Sequence, residues 1–134
     1  GDGTNGQYRN NDGFTSYGEV FTTGAIIGIY LDLDNNKLYF AKNGTVQNSG
    51  TGISITDPAS TPRGAYFFTV NNWSSTTTGT FEANFGGTQS FTVSSGNTDA
   101  NGYGSFEYDP SAGTFDSASK DFYAICTKNL AEYG

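Results

Sequence analysis

Gly24 to Gly44 read GAIIGIYLDLDNNKLYFAKNG, a run whose spacing dictates a β-hairpin. Ile27, Ile29, Leu31 and Leu33 fall on every second position. In an extended chain that spacing puts their branched side chains on one face of a sheet, which is expected to be buried. Asp34, Asn35, Asn36 and Lys37 interrupt the run with residues that accept turn geometry through local side-chain hydrogen bonds. Leu38, Tyr39 and Phe40 open the return strand. Asn43-Gly44 then supplies the dipeptide best suited to a tight turn with positive φ, so a third strand is expected directly after it.

Composition sets the limits around this hairpin. The chain has 134 residues and is 34% hydrophobic, room for one domain with a core. No apolar run approaches the roughly 20 residues of a membrane span, so membrane insertion is not expected. Charged residues make up only 14%, against roughly 25% in ordinary globular chains; Gly, Ser, Thr, Asn and aromatics replace them, favouring strands and turns. With six Lys and Arg and a net charge of −7, there is no phosphate-binding stripe, which excludes nucleic acid as an expected partner. Cations and neutral polymers stay compatible.

Chemistry is bounded as firmly. The absence of His removes the commonest general base, the Ser-His-Asp arrangement and most zinc sites. The single Cys cannot form an internal disulfide. Cys126 lies in the apolar run Phe122 to Thr127, with nothing nearby to lower its pKa, and reads as a buried small hydrophobe rather than a nucleophile. No cofactor is expected. The chain opens at Gly1 without Met or a signal-peptide pattern, which reads as a processed product or an excerpt of a longer polypeptide.

Outward from the hairpin, Gly1 to Asp12 is polar loop with a short strand at Gln7 to Asn10, and Phe14 to Phe21 leads into the hairpin. A weak strand is expected at Ile53-Ser54-Ile55 and a firmer one at Ala65 to Asn71, where Tyr66, Phe68 and Val70 form the better core face. Thr80 to Phe85 and Phe91 to Val93 read as further strands. Phe106 to Tyr108 reads as a short aromatic strand, and Phe122 to Leu130 as a last strand. The only Trp, Trp73, sits in the polar loop Asn71 to Gly79. It reads either as a contact anchor for a partner or, the commoner outcome, as a cap on the sandwich edge.

Three acidic patterns are weighed against simpler explanations. Asp32-Leu33-Asp34-Asn35-Asn36 has alternating oxygens like a calcium loop but lacks the Gly and the terminal Glu of one. The hairpin already accounts for these residues, so no metal is assigned there, nor to the acidic loop Asn97 to Asn101. Glu19, Glu82 and Glu107 are candidates for a glycosidase carboxylate pair, though nothing in their spacing requires it and scattered solvated acids are far commoner. Asn43-Gly44-Thr45 and Asn72-Trp73-Ser74 match the glycosylation acceptor pattern.

Four blocks in order carry a family resemblance: Tyr17-Gly18-Glu19-Val20-Phe21, Gly24 to Asp34, Phe40-Ala41-Lys42-Asn43-Gly44, and Ala83-Asn84-Phe85-Gly86. Together they resemble the second half of a SPRY domain, over about Tyr8 to Phe91, with Ala25 where that family usually has Asp. The resemblance implies an all-β, antiparallel two-sheet sandwich of the concanavalin-like jelly-roll kind, lacking its earliest strands. Its uncovered faces and edges would be supplied by missing sequence or by neighbouring chains. Residues 1–93 form the sandwich portion and 94–134 a turn-rich extension that packs on or follows it. Within that extension, GNTDANGYGSFEY from Gly96, the Pro110-Ser111 turn and YAICTKNLAE from Tyr123 resemble the segment that follows SPRY repeats in large virion proteins of marine tailed bacteriophages. Ala131 stands where that pattern has Pro, and Thr114 to Lys120 looks like an insertion.

The function these resemblances imply is a noncatalytic interaction module of a virion structural protein, tail fibre or capsid-associated, located in the extracellular particle. Its partners would be other virion subunits or a host-surface protein or glycan, within a larger chain or a homo-oligomer. Loop tips rather than strand faces are expected to make the contacts, with Trp73, Asn71, Asn72, Tyr66, Tyr8 and Arg9 as partner-binding candidates. A carbohydrate-binding sandwich with Trp73 and Tyr66 as its stacking platform is the alternative, and a glycan hydrolase the further one. No catalytic residue and no metal ligand is assigned.

Overall fold

The computed structural model describes residues 5–10, 13–70, 76, 78–87 and 91–133. Strands β1 (Gln7–Asn10) and β2 (Gly13–Ser16) form a two-stranded antiparallel sheet. The central hairpin follows as β3 (Ile27–Asp32) and β4 (Lys37–Lys42), paired antiparallel from Ile27 against Lys42 to Asp32 against Lys37. Asp32 Oδ1 closes its turn by accepting the Asn35 N–H at 3.0 Å, while Asn36 takes a φ of 54°, a left-handed conformation that Asn tolerates.

The expected third strand is present. Asn43 and Gly44 have φ of 48° and 79°, the pair of positive values a type I′ turn needs, and β5 (Thr45–Val46) turns back onto Ala41 and Lys42. A Cβ on Gly44 would also lie 2.6 Å from the Tyr108 ring. Strand β6 (Ile53–Ser54) pairs with the other end of β4, setting Ile53 against Leu38. The central strand is therefore β4, and β3 is paired on one edge only among the described residues. A single helix, α1 (Thr127–Tyr133), ends the described chain. Among the described residues, two antiparallel sheets, one short α-helix and two single-turn 3-10 helices make an all-β architecture, as expected, and no described helix is long and apolar enough to cross a membrane.

The core lies on the opposite face of the hairpin from the one expected. Residues paired across an antiparallel ladder share a face. Tyr30 with Tyr39, and Gly28 with Ala41, therefore project to the side where Tyr30, Tyr39, Ala41 and Phe115 form the buried cluster, with Val46 and Phe122 packed against it. The Phe115 ring centroid lies 5.2 Å from those of Tyr30 and Tyr39 and 4.8 Å from that of Phe122, the range of favourable edge-on aromatic pairs. The segment that looked like an insertion, Thr114 to Lys120, thus supplies the centre of the core. Branched aliphatics were expected to be buried, but rings fill the wider gap between the hairpin and the chain's distant end.

Several expected strands do not form. Residues 66–70, 78–84 and 92–93 run without a ladder partner, and Tyr66, Phe67, Phe68, Val70 and Phe81 are exposed. The alternation there is real, but no described strand lies alongside to pair with it. Phe68 instead packs its ring against Phe85 at 5.4 Å. Phe106 makes only an isolated bridge with Asn97. The last expected strand, Phe122 to Leu130, is extended only to Ile125 and then becomes α1, where Lys, Leu, Ala and Glu favour a helix over a ladder. Cys126 is buried, matching its reading as a small hydrophobe.

Candidate interaction surface

The face of the hairpin turned away from the core carries the other half of the alternation. Ile29 is opposite Phe40 and Leu31 opposite Leu38, so these side chains share the outer face with Ile27. Tyr17 covers Phe40 at one end, ring on ring at 5.8 Å, and Ile53 is buried beside Leu38. Between them the row stays open at Ile29, 45% exposed, and Leu31, 36% exposed, and Leu33, in the turn just past β3, is 48% exposed. This row of exposed aliphatic side chains on one strand is a candidate contact surface. The expectation that contacts would avoid strand faces rested on those faces being committed to the core, and this one is not.

The strip is held rigid from behind. The Tyr39 hydroxyl donates to Asp116 Oδ2 at 2.8 Å, and the Gly52 N–H donates to Asp116 Oδ1 at 3.0 Å. Those two bonds, first the one from Gly52 and then the one from Tyr39, hold the Asp116 carboxyl below its ordinary range, whereas burial and the bond to Asp116 push the Tyr39 hydroxyl well up. Lys120 pairs with Asp32 Oδ2 at 2.8 Å across the back of the turn. At the other end, Gly6 O accepts the N–H groups of Tyr17 and Gly18, and Gln47 Oε1 accepts the Glu19 N–H at 2.8 Å. The first sheet is thereby tied to the hairpin.

The residues singled out in the sequence are dispersed. Trp73, Asn71 and Asn72 lie outside the described residues. Tyr8 and Arg9 adjoin on β1; the Tyr8 ring meets Tyr17 edge-on at 6.0 Å, and the Arg9 guanidinium sits 5.4 Å over the Phe14 ring. Tyr66 is in another region, exposed, with its hydroxyl donating to Thr56 O. The open row of Ile29, Leu31 and Leu33 was visible as alternation, but alternation alone does not say which face is covered.

Of the acids singled out in the sequence, Asp32, Glu19, Glu107 and Asp99 have partners. Asp32 accepts from Asn35 and Lys120. Burial opposes ionisation there, but the bonds from Lys120 and Asn35 outweigh it and hold the carboxyl low. Glu19 pairs with Lys42 at 2.9 Å. Glu107 accepts from the Ser94 hydroxyl and N–H and from Ser95, which bring it down to about 2; a general acid requires the opposite shift.

The most saturated carboxylate is Asp99, which is buried. It accepts from the N–H groups of Asn101, Tyr103 and Ala124 and from Asn129 Nδ2, at 3.0, 2.8, 2.8 and 2.6 Å. Burial pushes this carboxyl up, yet the four donors outweigh it and keep it below the ordinary range. Asp99 fastens the loop at residues 97–106 to the chain end. The Asn-rich pattern around it signals turns, whereas its bond to Asn129, 30 positions away, leaves no trace in local sequence. Among the described residues no group of three or more His, Cys, Asp or Glu is placed to hold a metal ion.

A SPRY domain family model matches residues 2–82. The ATP-dependent RNA helicase Ddx1 of Drosophila melanogaster is 42% identical over 57 residues, 42% of this chain and 8% of that protein. The ATP-dependent RNA helicase DDX1 of Xenopus laevis is 37% identical over 67 residues, 50% of this chain and 8% of that protein. The matches thus span a small part of each relative. No solved structure matches the chain.

Proposed function

Since the chain belongs to the SPRY domain family, we propose that it serves as a noncatalytic interaction module whose protein partner rests on the outer face of β3. SPRY domains are protein-interaction modules, and the observation that supports this placement is the open row of Ile29, Leu31 and Leu33 on a hairpin stapled from behind. Such a row offers a partner apolar area without the cost of ordering a loop. Tyr8, Arg9 and Tyr66, with Trp73, Asn71 and Asn72, are proposed as further polar and aromatic contacts elsewhere on the chain.

We further propose that the module belongs to a virion structural protein of a tailed bacteriophage, tail fibre or capsid-associated, and contacts other subunits or a host-surface protein or glycan. Support for this setting comes from the segments beginning at Gly96 and Tyr123, which resemble phage virion sequences. Activity of the helicase relatives is not carried over, because the match covers 8% of each.

The test is site-specific photocrosslinking from Leu31, Arg9 and Tyr66 in the native full-length protein. Crosslinks from Leu31 to a second protein support the reading; solvent quenching alone from Leu31 refutes the strand-face placement. Mass spectrometry of purified particles addresses the setting separately. Absence of this chain from them removes the virion assignment and leaves the interaction module standing.

A further inference from the structure

Residues 121–125 run extended, and their burial alternates strictly up to Cys126, where the chain bends into α1. Phe122, Ala124 and Cys126 turn inward, while Asp121, Tyr123 and Ile125 turn outward, Tyr123 and Ile125 being 54% and 66% exposed. Successive residues of an extended chain also direct their N–H and C=O groups to opposite edges. One edge is occupied by side chains that stand in for a neighbouring strand. The Phe122 N–H reaches Ser111 Oγ at 3.4 Å, the Ala124 N–H donates to Asp99 Oδ2 at 2.8 Å, and the Ala124 C=O accepts from Asn129 Nδ2 at 2.9 Å. On the other edge, the N–H and C=O groups of Tyr123 and Ile125 meet no protein partner among the described residues.

Beside this segment is a groove of about 500 Å³, walled by Tyr123, Ile125, Leu130 and Tyr133 with Ala124 and Asn129 at its base. No cation lines it. The outward row begins with the acid Asp121, Glu132 lies on the adjoining helix, and the only cation of that helix, Lys128, is turned over the Tyr103 ring at 4.8 Å. In a chain of net charge −7, the surroundings of the free edge select a basic visitor.

We propose that residues 121–125 accept an added β-strand: an extended segment of a partner protein, apolar at alternate positions and carrying Lys or Arg at the others. Its backbone bonds the free groups of Tyr123 and Ile125, an apolar side chain enters the groove between Tyr123 and Tyr133, and a basic side chain reaches Asp121. Backbone pairing gives such a complex its affinity, and the pocket and charge give it selectivity. The site lies outside residues 2–82 matched by the family model and does not depend on the outer face of β3.

The experiment titrates the whole chain with a capped octapeptide of alternating Val and Lys, following amide shifts and hydrogen exchange by NMR. Saturable binding below about 1 mM, with slowed exchange at Tyr123 and Ile125 and none at Ile29 or Leu31, is the expected result. Methylating the peptide's pairing nitrogens, or replacing its Lys by Glu, should weaken binding by about tenfold or more. The Leu130→Ala variant tests the groove with the edge intact and should weaken it several-fold. Equal binding of the methylated peptide, no saturation, or protection confined to β3 would overturn the proposal. So would concentration-dependent self-pairing of the chain that protects the same amides without peptide.

Discussion

Replacing Phe115 by Ala and, separately, Leu31 by Ala distinguishes the two faces of the hairpin. Phe115 is fully buried among Tyr30, Tyr39 and Phe122. A phenylalanine buries on the order of 150–250 Å²; at about 25 cal/mol per Å², the lower part of that range is worth about 4 kcal/mol. Truncations of this kind cost about 3–5 kcal/mol once the cavity is included. Leu31 faces outward and is more than a third exposed, so its truncation should cost about 1 kcal/mol or less. In urea titrations followed by far-UV circular dichroism, with a slope near 2 kcal/mol per molar, Phe115→Ala should lower the midpoint by about 2 M and Leu31→Ala by about 0.5 M or less. Equal losses, or the larger loss from Leu31, would mean that the aliphatic row is the core and that the packing of the chain's end onto the hairpin is wrong.

Other consequences are as direct. Because the Asp99 carboxyl is held low in the folded chain, its contribution is complete above the unfolded value of about 4 and is lost as pH falls through the folded value. Slow exchange at the Ala124 and Tyr103 amides should therefore fade on acidification and already be absent at neutral pH in Asp99→Ala; persistence in both would refute the linkage. Tyr39→Phe removes the donor to Asp116 and should cost about 1–3 kcal/mol by thermal melting, since a bond to a charged group is lost. Gly44→Ala places a side chain at a φ of 79° and 2.6 Å from the Tyr108 ring. It should cost more than the roughly 1 kcal/mol typical of such turns, whereas Asn43→Gly keeps the turn but loses the Oδ1 that accepts the Ile26 N–H at 2.9 Å and should cost about 1 kcal/mol.

The hairpin, its Asn43-Gly44 turn and the strand that follows were legible because they depend on neighbours in sequence. Alternation in β3 favours the Ile27, Ile29 and Leu31 face over that of Gly28, Tyr30 and Asp32, yet burial is decided by Phe115 and Phe122, which arrive from more than 70 positions away. Thr114 to Lys120 carries no periodicity, so its role under Tyr30 and Tyr39 had no local signal. The same limit explains the missing ladders at residues 66–70 and 78–84. Their composition suits strands, but a strand needs a neighbour, and propensity does not say whether one is present. Of the candidate contacts, the aromatic and basic pair Tyr8 and Arg9 could be picked out by type; the open aliphatic row could not, because its residues look like core.

The bond between Tyr39 and Asp116 spans 77 positions and the pair between Asp32 and Lys120 spans 88. During synthesis the hairpin is made early and its cover late. At about 5–20 residues per second, Tyr39 and Ala41 leave the ribosome on the order of 4–15 s before the ring that shields them. Throughout that interval the nascent hairpin is apolar on both faces, which makes this stage of its life the one most open to capture by chaperones or by a second nascent chain.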